Sequence, residues 1–374
     1  MQDFIIREIC DADLSKEFKN IGFDTTYINR AVDKFNYKNI KIYSLTPAQA
    51  NVLKQTAISV GADCATHREV ITGKAETSNC ILGGSVSEIK KIAEKLQYQP
   101  FGLKNLGNSL LSFSKNSNKC KLVGILNITE NSFSDGGLYN DFENAKEHLL
   151  KLIEDGADII DVGAESTKPY SKPVDDVTQL KKLLPVIDFA KDKVTLSIDT
   201  RSAKVAEECL MAGARIINDV SGMDYDKNMI NVIAEYNCPV VIQHSKGIPE
   251  NMQNSPHYED VIEEIFLDLH KKCNVAKSYG IEKIIVDPGI GFGKTVENNF
   301  EIIRRAGEFK SLGYPLMLGI SRKSFLNLDN NEEKDIFTTA LNALAIERKV
   351  DYLRVHNVKM HKKLIDLMKM FMIK

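Results

Sequence analysis

Residues 194–219, VTLSIDTRSAKVAEECLMAGARIIND, contain one full copy of the pattern that decides the fold. An apolar run ends at Asp199, a segment of helical periodicity follows, and a second apolar run ends at Asp219. Ser202 has the side chain of a helix N-cap, so we expect a helix from Ser202 to Met211. The order strand, helix, strand predicts two parallel strands joined by a crossover helix.

The same pattern occurs eight times after residue 117. The other six apolar runs are LVGILN ending at Asn127, DIIDVGAES from Asp158, PVVIQH ending at His244, KIIVD ending at Asp287, PLMLGISRK ending at Lys323 and DYLRVH ending at His356. Eight units favour closure into a barrel, and residues 118–374 are close to the length of about 250 residues that is typical of (β/α)₈ barrels. We therefore predict an α/β fold, a TIM barrel, with chemistry at the carboxyl ends of the strands.

Residues 1–117 lack this pattern and are predicted to form a small N-terminal extension of α/β or α+β type. The polar segment SFSKNSNK, residues 112–119, has the composition of a linker before the barrel. In the extension we expect strands near Ile40–Leu45 and Cys80–Leu82, and helices over Ala48–Val60 and Ser87–Leu96. Thr46-Pro47 fits the N-cap and the first position of the first helix. We find no catalytic constellation in this part of the sequence.

The composition excludes several classes of protein. The 49 Lys+Arg and 51 Asp+Glu residues give a formal charge of −2, which argues against a nucleic-acid partner held by bulk electrostatics. The longest stretch without Asp, Glu, Lys or Arg, Ile42–Leu53, is well short of the ~20 residues needed to cross a bilayer. The first residues, MQDFIIREIC, lack a secretory-signal layout, and the 7 cysteines form no C-x-x-C pair. We therefore expect a cytoplasmic protein with small-molecule substrates and no membrane or nucleic-acid partner.

The glycine-rich segment DPGIGFGK, residues 287–294, is a candidate ligand loop because glycine allows the backbone to approach a ligand closely. It is not a P-loop, since Pro288 is at a position where that motif needs glycine, and Lys294 breaks the dinucleotide-binding pattern. The segment predicts a strand that ends in a carboxylate, followed by a loop that exposes Phe292 and Lys294. A plain glycine turn is the alternative interpretation.

Two further groups of polar residues indicate an anion site. Asn127 begins the loop NITENSFSDGG and has a neutral oxygen that can bind a hard divalent cation beside a phosphate. Arg354 and His356 are two residues apart on one strand and point to the same side, with Lys323 at the end of the preceding strand. A plain surface loop and structural roles for single cations are the alternatives.

Asp199, Asn218 and Asp287 each lie at the end of an apolar strand. Carboxylates and an amide that converge on one pocket suit a flat heterocycle rich in N–H groups, such as an aminopyrimidinone. For Asp199 the alternative is helix capping, because Thr200 and Ser202 follow it.

Taken together, GILNITENSFSDGG, GAESTKP, SIDTRS, INDVSG, DPGIGFGK, GISRKS and RVH resemble dihydropteroate synthase, in this order and spacing over about residues 120–374. The resemblance implies a (β/α)₈ barrel, generally dimeric, that joins 7,8-dihydropterin-6-ylmethyl diphosphate to 4-aminobenzoate and releases diphosphate. It also implies dependence on Mg²⁺ and a homodimer. The N-terminal extension lies outside the minimal enzyme and receives no role.

Position by position, the resemblance implies three groups of site residues. The pterin ring would be held by Asp199, Asn218, Asp287 and Lys323, with Gln243 lining the same pocket. Asn127 would be the ligand of the Mg²⁺–diphosphate, whose oxygens Arg354 and His356 would bind. The 4-aminobenzoate pocket would be lined by Phe292 and Ser324 and closed by the loops Thr129–Gly137 and Glu165–Pro169, which include Thr167 and Lys168. Gly319 and Ser321 are further substrate-binding positions, and Lys323, Asp199, Arg354 and His356 are the predicted catalytic residues.

The sequence departs from the family pattern at a few positions. Glu130 replaces a common Pro, Lys168 a common Arg, Ala164 a common Gly, Gln243 a frequent Met and Asn357 a frequent Asp. None of these changes removes a predicted pterin or anion ligand, so we expect activity with altered loop behaviour. Two alternatives remain, a pterin-binding methyltransferase, which has no need of a diphosphate site, and a non-catalytic paralogue that binds pterin.

Overall fold

The structure, a computed structural model, describes residues 14–112, 120–128, 137–165, 173–247 and 256–371. The chain divides into two compact units, Met1–Lys115 and Asn116–Ile373. The boundary predicted at residue 117 lies outside the described residues.

The smaller unit has a three-stranded antiparallel sheet with helices, which makes it α+β. Its strands are β1 Tyr37–Leu45, β2 Asp63–Ala65 and β3 Ser78–Ser85, in the sheet order β1-β3-β2. Its helices are α1 Leu14–Asn20, α2 Ile28–Phe35, α3 Pro47–Ile58, α4 Val86–Leu96 and α5 Leu103–Ser112. Strand β2 is absent from the sequence prediction because a run of 3 residues carries no detectable alternation.

Two capping boxes fix the starts of α3 and α4. The Thr46 side chain accepts from the backbone N–H of Gln49, and the Gln49 side chain accepts in return from the backbone N–H of Thr46. The predicted cap at Thr46 is therefore present. Helix α4 begins one residue earlier than predicted, because Ser85 is its cap and Glu88 bonds back to the Ser85 backbone at 2.7 Å.

Eight parallel strands form the sheet of the larger unit and confirm the predicted barrel. They are β4 Lys121–Asn127, β5 Ile159–Gly163, β6 Thr195–Asp199, β7 Ile216–Asp219, β8 Val240–Gln243, β9 Ile284–Asp287, β10 Met317–Leu318 and β11 Tyr352–Val355. The helices that alternate with them are α6 Gly137–Glu154, α7 Asp176–Ala190, α8 Ala203–Ala212, α9 Met229–Tyr236, α10 Val261–Ser278, α11 Val296–Arg304, α12 Asn331–Glu347 and α13 Val358–Phe371. The predicted N-cap is present, since the Ser202 side chain accepts from the backbone N–H of Val205.

The strands follow one another round the barrel in the order β10-β11-β4-β5-β6-β7-β8-β9. A parallel bridge between Val286 and Leu316 joins the two ends of this series, so the sheet closes. Between strands and helices lies a continuous apolar core that includes Leu126, Ile160 and Ile198. This outer core supplies the hydrophobic stabilisation, which leaves the barrel interior available for other side chains.

Alternate residues of each strand point into the barrel, because the side chains of a strand alternate between its faces. Near the amino ends of the strands these inward residues form a buried apolar cluster, here called the amino-end layer: Val123, Ile159, Ile216, Val241, Ile285 and Met317, with Tyr352 packed against it. Two residues further along, the inward positions of several of these strands are polar, as at Asp161, Asn218 and Asp287.

Among the helices of the described ranges, none combines the length and the apolar character that a membrane span requires.

Candidate active site

Asp199 and Asn218 are register partners at the carboxyl ends of β6 and β7, and both are buried. Oδ1 of each is enclosed and has no hydrogen-bond partner among the described residues. Buried acceptors without a donor are costly, so two such oxygens side by side indicate a ligand that brings its own N–H groups. Capping of α8 by Asp199, the alternative considered from the sequence, is not observed, since Ser202 caps that helix.

Arg354 on β11 crosses the barrel to this pair. Its Nε donates to Asp161 Oδ2 and its Nη2 donates to Asp199 Oδ2, each at 2.6 Å. Burial opposes the charge on Arg354, but the two carboxylates raise its pKa above the ordinary value. Burial likewise raises the pKa of the Asp199 carboxyl, although Arg354 opposes that shift. Arg354 thus holds Asp199 by one oxygen, and the other oxygen has no donor among the described residues.

Asp161 was missed as a site residue by the sequence analysis. Its Oδ1 accepts from Ser197 Oγ at 2.6 Å, and its Oδ2 accepts from Asn218 Nδ2 at 2.9 Å as well as from Arg354. It therefore orients the side chains of both Asn218 and Arg354. A signal was present, because a carboxylate within the apolar run DIIDVG must lie on one face of a strand that is buried on both.

Asp287 begins the glycine loop at the end of β9. Its Oδ1 accepts from Gly289 N at 2.7 Å, and burial raises its pKa to about 6. The loop needs glycine, since Gly289 has φ +71° and an added Cβ would lie 1.9 Å from the carbonyl oxygen of His244. The segment is therefore more than a plain turn, because its backbone packs against the chain that follows β8 and holds a carboxylate in the barrel mouth.

Lys323 follows β10 and reaches over the same loop. Its Nζ lies 4.1 Å from the centroid of the Phe292 ring, and a Cβ at Gly291 would lie 3.1 Å from its Cδ. Burial and the nearby charge of Arg354 lower the pKa of Lys323 to about 8, while Asp287 and Asp199 oppose that shift. The four predicted pterin residues Asp199, Asn218, Asp287 and Lys323 thus surround one mouth of the barrel.

His356 lies beyond the end of β11 and contacts Ser321. Its Nδ1 lies 2.9 Å from Ser321 Oγ, and its backbone N–H donates to the same oxygen at 3.2 Å. Burial, with the charges of Arg322 and Arg354, lowers the pKa of His356 to about 3. His356 is therefore a neutral imidazole near pH 7, suited to donate one N–H to an anionic oxygen.

The remaining predicted positions lie round the same mouth or outside the described residues. Gln243 pairs in register with Asp287 and donates to the Val220 carbonyl oxygen at 3.2 Å. Gly319 lies against the Arg354 side chain, and Ser324 is exposed at the start of a 3₁₀ turn, Ser324–Leu326. The predicted exposure of Phe292 and Lys294 is wrong, since Phe292 is buried beside Val220 and Lys294 is buried with its Nζ on the Phe292 carbonyl oxygen. Thr129, Thr167 and Lys168 fall outside the described residues, as does most of both predicted loops.

Asn127 is exposed at the end of β4, in register with Gly163 and next to Asp199 across it. The absence of a side chain at Gly163 leaves room, because a Cβ there would lie 3.3 Å from Asp199 Cβ and 3.5 Å from Asn127 Oδ1. No cluster of three or more His, Cys, Asp or Glu with metal-site geometry occurs in the described ranges. A single amide oxygen fits Mg²⁺ that arrives with a diphosphate, since Mg²⁺ keeps waters and phosphate oxygens as most of its ligands.

Comparison with known proteins agrees with this geometry. The model of the family described as pterin binding enzyme matches residues 123–356. Dihydropteroate synthase of Clostridium beijerinckii is 43% identical over 245 residues, which cover 63% of this chain and 88% of that protein. A probable bifunctional folylpolyglutamate synthase/dihydropteroate synthase of Halobacterium salinarum is 37% identical over 331 residues, 83% of this chain. This chain spans only 40% of the length of that bifunctional protein.

Solved structures give the same result. The crystal structure of FolP (dihydropteroate synthase) from Clostridium difficile in the presence of pteroic acid matches with a TM-score of 0.65 and 38% identity, over 70% of this chain and 99% of that one. Xanthomonas albilineans dihydropteroate synthase with 4-aminobenzoic acid matches with a TM-score of 0.65 and 31% identity, over 69% and 94%. The chain belongs to the dihydropteroate synthase family of pterin-binding enzymes, transferases of folate biosynthesis, which confirms the resemblance that its motifs predict.

Proposed function

We propose that this chain condenses 7,8-dihydropterin-6-ylmethyl diphosphate with 4-aminobenzoate to give 7,8-dihydropteroate and diphosphate. The observation that carries the proposal is the pair of enclosed oxygens Asp199 Oδ1 and Asn218 Oδ1, which have no partner among the described residues. The aminopyrimidinone edge of a pterin has the N–H groups to satisfy both. Asp287 and Lys323 lie round the same mouth and supply a further acceptor and a donor.

In the reaction, the amine nitrogen of 4-aminobenzoate forms a bond to the exocyclic methylene carbon of the pterin. The bond from that carbon to the diphosphate oxygen breaks, the electron pair leaves with diphosphate, and the amine proton passes to solvent. No nucleophile from the protein is needed, so the protein contributes position and electrostatic stabilisation. The pterin ring stabilises positive charge that develops at the methylene carbon, while Asp199 and Asn218 hold the ring still.

Diphosphate leaves more easily when its developing charge is stabilised. We assign this role to Arg354, to the N–H of neutral His356 and to Mg²⁺ held beside Asn127. When bound, Mg²⁺ neutralises charge on the diphosphate oxygens. If Asn127 is a metal ligand, Asn127→Ala should raise the Mg²⁺ concentration required for half-maximal rate.

The test is diphosphate release by the purified protein with dihydropterin diphosphate and Mg²⁺, with and without 4-aminobenzoate. We expect release that depends on 4-aminobenzoate, with dihydropteroate formed in equal amount. Tight binding of the pterin substrate without release would identify a non-catalytic paralogue. Methyl transfer from a methylated pterin, without diphosphate release, would identify a methyltransferase.

We further propose that the enzyme is cytoplasmic and a homodimer. Six cysteines are free in the described ranges, including Cys64 and Cys80 on neighbouring strands, which suits a reducing compartment. Exposed apolar side chains on the adjacent helices α11 and α12, among them Phe300, Ile336 and Phe337, are candidates for the dimer surface. Sedimentation equilibrium of wild-type protein and of Phe337→Ser tests both the dimer and this surface.

A further inference from the structure

The corner after β10 contains an unusual backbone conformation. Arg322 has φ +57°, in the left-handed region that residues with a Cβ occupy only when their surroundings impose it. The two neighbours of Arg322 are Ser321, which contacts His356, and Lys323, which lies over Phe292. The conformation of Arg322 therefore determines where two predicted site residues point.

Asp335 holds Arg322 in place from helix α12. Arg322 Nε donates to Asp335 Oδ1 and Nη2 donates to Oδ2, both at 2.8 Å, which is a two-point contact of fixed geometry. Asn357 Nδ2 donates to the same Oδ2 at 3.2 Å. Asp335 is only 4% exposed, so its charge is compensated by these donors rather than by water.

Asn357 directly follows His356 and also caps α13, since its Oδ1 accepts from Met360 N at 3.1 Å. The Asp335 carboxylate thus contacts two chain segments, the one with Ser321 and Lys323 and the one with His356. Burial opposes ionisation of Asp335, but the bonds from Arg322 and Asn357 hold its pKa below the usual value. The carboxylate is charged at neutral pH, as this geometry requires.

We propose that Asp335 is a positioning residue for the reaction, acting through Arg322 and Asn357 on the placement of Lys323 and His356. This inference rests on the proposed function, because its kinetic test measures that reaction. Asp335 itself does not touch the reacting atoms, because both of its oxygens are engaged with Arg322 and Asn357.

The competing explanation is that the ion pair only stabilises the barrel. Asp351 provides a matched control, because it is a buried carboxylate, 5% exposed, that pairs with Lys310 and accepts from Leu316 N. It precedes β11 at the amino end of the barrel, away from the mouth. Asp335→Asn and Asp351→Asn therefore each remove one buried, paired carboxylate charge, the first from helix α12 and the second from the residue before β11.

The experiment measures kcat, KM for each substrate, the dissociation constant of the pterin diphosphate and Tm for both variants. We expect Asp335→Asn to lower kcat by about tenfold or more, because small displacements of positioned groups are costly to rate. Asp351→Asn should lower Tm to a similar extent while kcat below the transition stays within about twofold. Equal loss of kcat in both variants, or wild-type kcat in Asp335→Asn, would overturn the proposal.

Two further variants test the route through Arg322. Arg322→Gly relieves the left-handed backbone but removes the contact to Asp335, so we expect loss of kcat like that of Arg322→Ala. The double variant Arg322→Ala/Asp335→Ala should lose less kcat than the product of the two single losses, because both substitutions remove the same contact, whereas fully multiplicative effects would contradict the route. If wild-type protein shows no turnover, the proposed function fails, and weaker pterin-diphosphate binding by Asp335→Asn still decides the positioning role.

Discussion

The two ends of the barrel interior are built on the same sheet, and on β9 they lie only two residues apart, at Ile285 and Asp287. The amino-end layer contains only apolar residues, among them Ile285 on β9, and is buried. At the carboxyl end the same faces carry Asp199, Asp287 and Arg354. One closed sheet therefore has an end that stabilises the fold and an end that is prepared for a ligand.

The charged end is costly to the protein without its ligand. Burial raises the pKa of Asp287 to about 6 and lowers the pKa of Lys323 to about 8, so the charged form of each group is disfavoured. Such displaced pKa values are typical of functional sites. A ligand that supplies donors to Asp199 and Asn218 would recover part of this cost, which the apolar end never incurs.

The largest effect is expected from substitutions at the charged end. Asp199→Ala and Lys323→Ala should each reduce kcat/KM by about 10³-fold or more, because the proposed function places each of these groups against the pterin. Steady-state kinetics with dihydropterin diphosphate and 4-aminobenzoate check this result. Wild-type rates in either variant would mean that the assigned mouth is not the active site.

Ile285 and Asp287 form a matched pair on one face of β9, one in each layer. Ile285→Ala should reduce the free energy of unfolding by about 2–4 kcal/mol through lost burial and a cavity, with kcat little changed at low temperature. Asp287→Asn should weaken pterin binding while the free energy of unfolding at pH 8 stays equal or rises, because a disfavoured buried charge is removed. Chemical denaturation and calorimetric binding measure both quantities. If Asp287→Asn reduces the free energy of unfolding as much as Ile285→Ala does, the proposed difference between the two ends of the barrel is wrong.

The pH dependence of binding provides a weaker test. A pterin without diphosphate should bind most tightly between pH about 7 and about 8, where Asp199 and Asp287 are ionised and Lys323 is protonated. Its affinity should fall by about tenfold per pH unit below this window. The effect of pH on stability runs the other way. The pKa of Asp287 in the folded protein is raised from 3.8 to about 6, so its contribution to the free energy of unfolding is present at low pH and is lost as pH rises through about 6. Titration calorimetry from pH 5 to 9 checks the profile. A flat profile would show that none of these groups faces the ligand.

The smallest effect is expected at Lys168, in the predicted second loop and outside the described residues. Lys168→Arg replaces a point charge with a planar fork and should change KM for 4-aminobenzoate by no more than about threefold. Initial rates over a range of 4-aminobenzoate concentrations measure it. A severe loss would indicate that this loop works differently from that of its relatives.

Much of the fold could be predicted because the apolar runs are short, regular and separated by helical periodicity. All eight barrel strands were predicted, including β10, Met317–Leu318, which is only 2 residues long. Asp199, Asn218, Asp287, Lys323, Arg354 and His356 could be named as a group, because polar residues at the carboxyl ends of parallel strands meet at one mouth. Their individual roles stay predictions until the variants above are measured.

Contacts between residues on distant strands of the barrel could not be predicted from the sequence. Asp161 lies 193 positions from Arg354 in sequence, and no local pattern indicates that their side chains are 2.6 Å apart. The left-handed conformation of Arg322 is likewise not indicated by SRKS, and neither is the contact of its side chain with Asp335 on the next helix. The start of α4 differs from the prediction for a local reason, since the chain has serines at both 85 and 87 and Ser85 is the one that caps the helix.

By itself, the sequence determined the barrel, the strand that carries each candidate residue and the family, because strand alternation and turn chemistry are local properties. Only the tertiary structure decided which of Asp199's two oxygens Arg354 binds and which stays available, and which carboxylate orients Asn218. Closure of the barrel brings residues of distant strands within hydrogen-bond distance, and burial there sets their pKa values. Those contacts depend on the whole fold at once, so no segment of the sequence contains them.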